Sequence, residues 1–155
     1  DALKGFLAAG LGKLVFQYIS NTQDALWALP IYGAYICGAA CMLGHVFPVF
    51  FQFKGGKGVA TSVGIFAVCC PIAIVLGLAV FALVVAISKM VSLGSLIATV
   101  TVVVLSIVFY DSTASILPQA LLCIGMGALV FLKHIENIKR LLSGTESKIG
   151  KGGKK

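Results

Sequence analysis

From Val59 to Ile87 the chain runs for 29 residues without a charged side chain, and Pro71 stands inside that run. About 20 apolar residues let a helix cross the hydrocarbon core of a bilayer, so the stretch is long for one span. A proline removes a backbone donor and clashes with the preceding helical turn. Two arrangements satisfy these constraints: one long kinked helix, or a short helix to about Cys70, a tight reversal, and a second helix from Pro71. Further apolar stretches cover Asp1–Ser20, Ala25–Leu43, Leu93–Phe109 and Leu117–Leu132. With 59% hydrophobic and 11% charged residues, against about 25% charged in soluble domains, the chain reads as an integral membrane protein.

Charge separates the two arrangements. Lys54 and Lys57 lie before the run; Lys133, Lys139, Arg140, Lys148, Lys151, Lys154 and Lys155 follow the last apolar stretch. The positive-inside rule puts both groups in the cytoplasm, so the crossings between them must be even in number. A single kinked helix gives three, and a split at Pro71 gives four. The split also places Lys89 inside, and Asp111 and Asn21–Asp24 outside. The expectation is an all-α polytopic bundle of about six spans plus a C-terminal amphipathic helix. It would form one domain over residues 1–147 with a basic flexible tail over 148–155. The net charge of +7 points to anionic headgroups or substrates. Nucleic acid is not an expected partner, because no basic, aromatic-interleaved soluble surface exists.

Lys54-Gly55-Gly56-Lys57-Gly58 opens the long run. Glycine permits positive φ and close approach of an anion to main-chain N–H groups, and a following helix N-terminus adds donors and partial positive charge. The loop suits a phosphate, although its lysines also fit a connector that only sets topology. It is not a Walker A loop: Phe51 stands where the first glycine belongs and Gly58 where the Ser or Thr belongs. The expected phosphate-binding set is therefore Lys54, Gly55, Gly56, Lys57 and Gly58. The short Val59–Cys70 helix would sink this loop below the membrane surface.

Ser92 and Ser95 begin the next apolar stretch, as helix N-caps or as donors to an anion. In Lys133–Leu142 an apolar stripe (Ile135, Ile138, Leu141, Leu142) marks an amphipathic helix; Glu136 and Arg140 have i, i+4 spacing, and His134 and Asn137 share a face. Gly5/Ala9 and Ala8/Gly12 are small-residue spacings that let helices approach closely. The cysteines, Cys37, Cys41, Cys69, Cys70 and Cys123, form no CxxC and read as packed thiols. Two histidines and five acidic residues, all scattered, make no metal cluster. Paired carboxylates, a Gly-x-Ser-x-Gly elbow and the His-xxxx-Asp box of common glycerolipid acyltransferases are all missing.

Two longer patterns carry a resemblance. Gly44-His45-x-x-Pro48-Val-Phe-x-x-Phe53-Lys-Gly-Gly-Lys57-Gly-Val-Ala-Thr61 is similar to the second motif of the bacterial acyl-phosphate-dependent glycerol-3-phosphate acyltransferases, the PlsY family. Lys133-His134-x-Glu136-Asn137-Ile-x-Arg140-Leu-x-x-Gly144-x-Glu146 resembles the third. Asp1-x-x-Lys4-Gly5 is similar to the start of that family's second transmembrane helix, and Val91-Ser92-Leu93-x-Ser95 also has a counterpart. The resemblance implies seven spans in the complete fold, with a first helix and a first motif expected upstream of Asp1.

It also implies transfer of a fatty acyl group from acyl phosphate to the 1-hydroxyl of glycerol 3-phosphate, giving lysophosphatidic acid, at the cytoplasmic side of the bacterial inner membrane. No cofactor or metal is implied; the partners are the two substrates and membrane lipid. By motif position Lys57 and the glycines hold phosphate, with Lys54 a weaker contributor. His134 and Asn137 bind glycerol 3-phosphate, and Ser95 supports the acyl carbonyl. Short helices around a basic site also fit a transporter of a small organophosphate, but no second copy of the glycine–lysine loop marks an internal repeat.

Overall fold

The computed structural model describes residues 1–23, 29–49, 52, 55–110 and 115–150. Trp27, Lys54, Asp111 and the lysines at 151, 154 and 155 lie outside the described residues. Among the described residues seven helices follow one another: α1 (Ala2–Gln23), α2 (Pro30–Val46), α3 (Val59–Cys69), α4 (Pro71–Ser88), α5 (Val91–Val108), α6 (Ile116–Lys133) and α7 (Ile135–Leu142). Among the described residues α4, α5 and α6 are long and apolar enough to cross a membrane, while α2 and α3 are shorter apolar helices of 17 and 11 residues.

The long uncharged run is two helices. Cys70 adopts φ −153° and ψ 76°, as expected where the Cδ of a following proline excludes helical geometry. Pro71 then serves as the first residue of α4, where its missing N–H costs nothing. Pro30 starts α2 in the same way. Val59 and Val63, early in α3, and Leu78 and Phe81, near the middle of α4, meet the same cavity as the start of α5 and His134, which directly follows α6. Consecutive helices from α3 to α6 therefore alternate in direction.

Small residues set the closest approaches. A Cβ on Gly33 of α2 would strike the Gly12 carbonyl of α1, and one on Gly12 would strike that of Gly33. Gly64 of α3 packs against the Ala2 carbonyl, and Gly5 against that of Thr61. Between α2, α5 and α6 the Tyr35 hydroxyl donates to Gln119 Oε1 at 2.6 Å, and the Gln119 amide donates to the Ser106 carbonyl. Met42, Ile65, Val46, Val130 and Cys123 fill the interior, and all five cysteines are unpaired. Leu14, Val75, Leu83 and Ile87 face outward, each at least 60% exposed. An apolar exterior of this kind suits a lipid surround.

Candidate active site

The glycine loop is moulded onto the end of α2. Gly58 caps α3 at φ +82°, a left-handed value that glycine adopts without steric cost. Gly55 lies against the carbonyls of His45 and Val46, and Gly56 lies under the His45 ring. The Gly56 N–H donates to the His45 carbonyl at 3.3 Å. His45 is held in turn, since Lys4 Nζ is 2.7 Å from its Nδ1 and 2.9 Å from Asp1.

From this loop Lys57 reaches across to α7. Its ammonium donates to Asn137 Oδ1 at 2.6 Å, and Asn137 Nδ2 donates to Glu146 Oε1 at 2.8 Å. Arg140 Nε donates to the other Glu146 oxygen at 2.7 Å. The amide is thereby oriented: its oxygen faces a group that only donates, and its nitrogen a group that only accepts. The Glu146 side chain is 6% exposed. Burial pushes its pKa up, but the neighbouring Ser92 hydroxyl, the Asn137 amide and the Arg140 guanidinium outweigh that and hold it down at about 2. The Ser92 hydroxyl is buried beside the carboxylate without completing a regular hydrogen bond.

His134, between α6 and α7, is 2% exposed. Its Nδ1 is 2.8 Å from the Val130 carbonyl. A carbonyl only accepts, so Nδ1 carries the proton and Nε2 keeps its lone pair. Burial lowers its pKa against the opposing Val130 carbonyl, and Lys57 lowers it further, so the ring is neutral at pH 7. Ser95, also buried, donates to the Val91 carbonyl at 3.0 Å; it must release that bond to donate to a substrate.

Gly56, Lys57, Gly58, Ser95, His134 and Asn137 all line one cavity of about 780 Å³. Gly55 sits behind it against α2, and Lys54 is outside the described residues. Two expectations change. Ser92 and Ser95 do not cap α5: its N-cap is Met90, whose N–H is taken by Ser88 Oγ at 3.1 Å. Glu136 pairs with Lys139 at 2.8 Å, not with Arg140. Glu146 is a site residue outside the expected set. Its signal is a lone acid that follows a glycine turn and carries the partner of Arg140.

Lowering pH tests the Glu146 anchor. Its pKa falls from an ordinary 4.5 to about 2 on folding, so its stabilisation is complete above pH 4.5 and is lost as pH falls through about 2. Glu146→Gln should lower the melting temperature in detergent by several degrees, with a constant deficit from pH 8 to 5. The deficit should shrink below pH 4.5. A deficit that grew on acidification would contradict the geometry.

Membrane-length helices around a glycine-lined cavity that holds Lys57, His134 and Asn137 describe an integral membrane protein with a polar site at one end of its bundle. The sequence model of the glycerol-3-phosphate acyltransferase family matches residues 1–144. Glycerol-3-phosphate acyltransferase of Thermoanaerobacter sp. is 41% identical over 150 residues, covering 97% of this chain and 67% of that protein. Glycerol-3-phosphate acyltransferase 2 of Bacillus anthracis is 41% identical over 149 residues, covering 96% and 69%. The crystal structure of PlsY (YgiH), an integral membrane glycerol 3-phosphate acyltransferase, superposes in its lysophosphatidic acid form with a TM-score of 0.75 at 33% identity, over 97% of this chain and 69% of that one. Its glycerol 3-phosphate form gives 0.69 at 32% identity, over 94% and 69%. The chain belongs to the PlsY family of glycerol-3-phosphate acyltransferases.

Proposed function

We propose that this chain moves a fatty acyl group from acyl phosphate to the 1-hydroxyl of glycerol 3-phosphate, releasing lysophosphatidic acid and phosphate. The observation that carries the reading is the Lys57–Asn137 bridge above the glycine loop, with His134 and Ser95 on the same cavity. Lys57, the α3 N-terminus and the loop N–H groups other than that of Gly56, which bonds the His45 carbonyl, hold a phosphate. Asn137 and His134 hold glycerol 3-phosphate, and Ser95 turns to support the acyl carbonyl.

The 1-hydroxyl oxygen attacks the carbonyl carbon, and the bond from that carbon to the phosphate oxygen breaks. The departing phosphate takes the hydroxyl proton. An acyl phosphate is already activated, so positioning and anion stabilisation supply much of the rate. The relatives support this assignment: PlsY has crystal structures in a glycerol 3-phosphate form and in a lysophosphatidic acid form.

In this reading the chain makes six crossings of the bacterial inner membrane with the site on the cytoplasmic side; the alternation of α3 to α6 and the placing of the basic residues support it. At 11 residues α3 spans about 16 Å, roughly half a 30 Å core. That sets the glycine loop below the headgroups, where irregular backbone is tolerated because it lines a cavity. The eight-residue α7 lies along the inner surface, with Leu142 outward and Asn137 buried inward. Residues 1–147 act as one acyltransferase domain, to which Lys148 and Ile149, expected in the tail, also belong as part of the cavity wall; the lysines beyond them meet anionic lipid.

The test offers hexadecanoyl phosphate and hexadecanoyl-CoA to the protein in nanodiscs with glycerol 3-phosphate. Lysophosphatidate should form from the phosphate and not from the thioester, and the pH–rate profile of His134→Gln should keep its shape. Preference for the thioester would exclude the donor. A protein ionisation lost with His134 would make that ring the base.

A further inference from the structure

A second, apolar space lies directly under the polar cavity. Val59, Val63, Leu78, Phe81 and Ser95 line both. The apolar cleft then runs between α3, α4, α5 and α6 to Phe66, Ile74, Val102 and Met126. These four residues are between 3% and 7% exposed, so the far end is a packed wall. From Ser95 to Val102 is seven residues of α5, which at 1.5 Å each gives a depth of about 10 Å. Ala98, one turn below Ser95, is the small side chain that leaves the passage open, while its flanks are close-packed, since a Cβ on Gly77 would strike Val102 and one on Gly127 would press on Val103 at 3.0 Å.

An extended alkyl chain advances roughly 1.3 Å per carbon, given C–C bonds of about 1.5 Å. We infer that the cleft encloses and reads only about the first eight carbons of the donor's fatty chain. The Phe66–Ile74–Val102–Met126 wall turns the remainder out between helices into the bilayer. The inference rests on the proposed acyl-phosphate reaction and adds a rule of selectivity to it. Substituents near the carbonyl meet close-packed protein walls, where an added methylene is felt. Substituents near the methyl end stay in lipid before and after binding and contribute no difference.

The test uses non-hydrolysable hexadecanoyl phosphonates in lipid nanodiscs: straight, methyl-branched at carbon 5, or methyl-branched at carbon 13. Their binding is measured by competition against a labelled straight-chain analogue. The carbon-5 branch should weaken binding about tenfold or more, in line with overpacking a close-packed site. The carbon-13 branch should bind within about twofold of the straight chain, since it adds no contact with packed protein. Ala98→Leu, which fills the cleft one turn below Ser95, should reject all three but keep a butanoyl phosphonate. Met126→Ala, which opens the wall, should make the branch at carbon 9 or 10 better tolerated than in the parent protein.

Equal penalties for branches at carbons 5 and 13 would overturn the inference, as would unchanged selectivity in both variants. Failure of the straight chain to bind the parent protein at all would instead sink the acyl-phosphate reading beneath it.

Discussion

Replacing Lys57 by alanine is expected to cut lysophosphatidate formation by about 100- to 1,000-fold, the loss that follows removal of one pre-placed donor to a developing anion. Lys57 is the cation that stands between the glycine loop and Asn137. Its removal leaves the loop N–H groups without a charge to hold the substrate phosphate and frees the Asn137 oxygen to turn. The fold should survive. The Lys57 side chain opens onto a wide polar cavity, where water can replace its bond to Asn137, and one such bond contributes only about 1 kcal/mol net. The check is a paired measurement of initial rate and melting temperature in the same detergent. A rate within threefold of the parent protein, with the fold intact, would remove Lys57 from the site.

Gly33→Ala should have the largest effect on stability, roughly 3 kcal/mol or more of loss, at or beyond the upper end for overpacking. The new methyl would meet the Gly12 backbone carbonyl across the α1–α2 seam. No rotamer change relieves a collision with backbone, so the two helices must move apart. Gly10→Ala, two residues from Gly12 on the same helix, provides the contrast. Nothing lies within 4 Å of its added Cβ, and alanine is favoured over glycine in a helix by up to about 1 kcal/mol. The two variants should therefore shift the melting temperature in opposite directions. Matching shifts would show that the α1–α2 approach is not as close as described.

What was legible in the sequence depended on the range of the forces involved. The break at Cys70 could be read because proline acts on the residue directly before it, and the observed angles are that local effect. The glycine loop could be read because its chemistry lies in consecutive residues. The meeting of Lys57 with Asn137 across 80 positions could be read only as one of two alternatives, His134 and Asn137 turned toward the loop or a helix lying on the membrane surface, since nothing local places α7 over the loop; the resemblance favoured the first.

Where local rules competed with tertiary structure, they lost. The i, i+4 spacing pairs Glu136 with Arg140, but the chain turns at Gly144 with φ +71° and brings Glu146 back to claim the arginine. Ser92 has the composition of an N-cap, yet Lys89 takes a left-handed conformation and starts the helix earlier, leaving Ser88 to bond Met90. The apolar cleft had no sequence signal. Phe66 and Met126 face protein while Leu83 and Ile87 face outward, and all four are equally apolar on paper.

The backbone contact between Ile149 and Lys89, with the Ile149 N–H 2.8 Å from the Lys89 carbonyl, draws the segment after α7 across the rim of the polar cavity. Ser147 and Lys148 thereby become part of its wall. A rigid partner joined directly at this point would pull on the rim itself. Reporter domains and immobilisation handles should therefore be separated from Ile149 by a flexible glycine–serine linker, so that their motion does not reach the cavity.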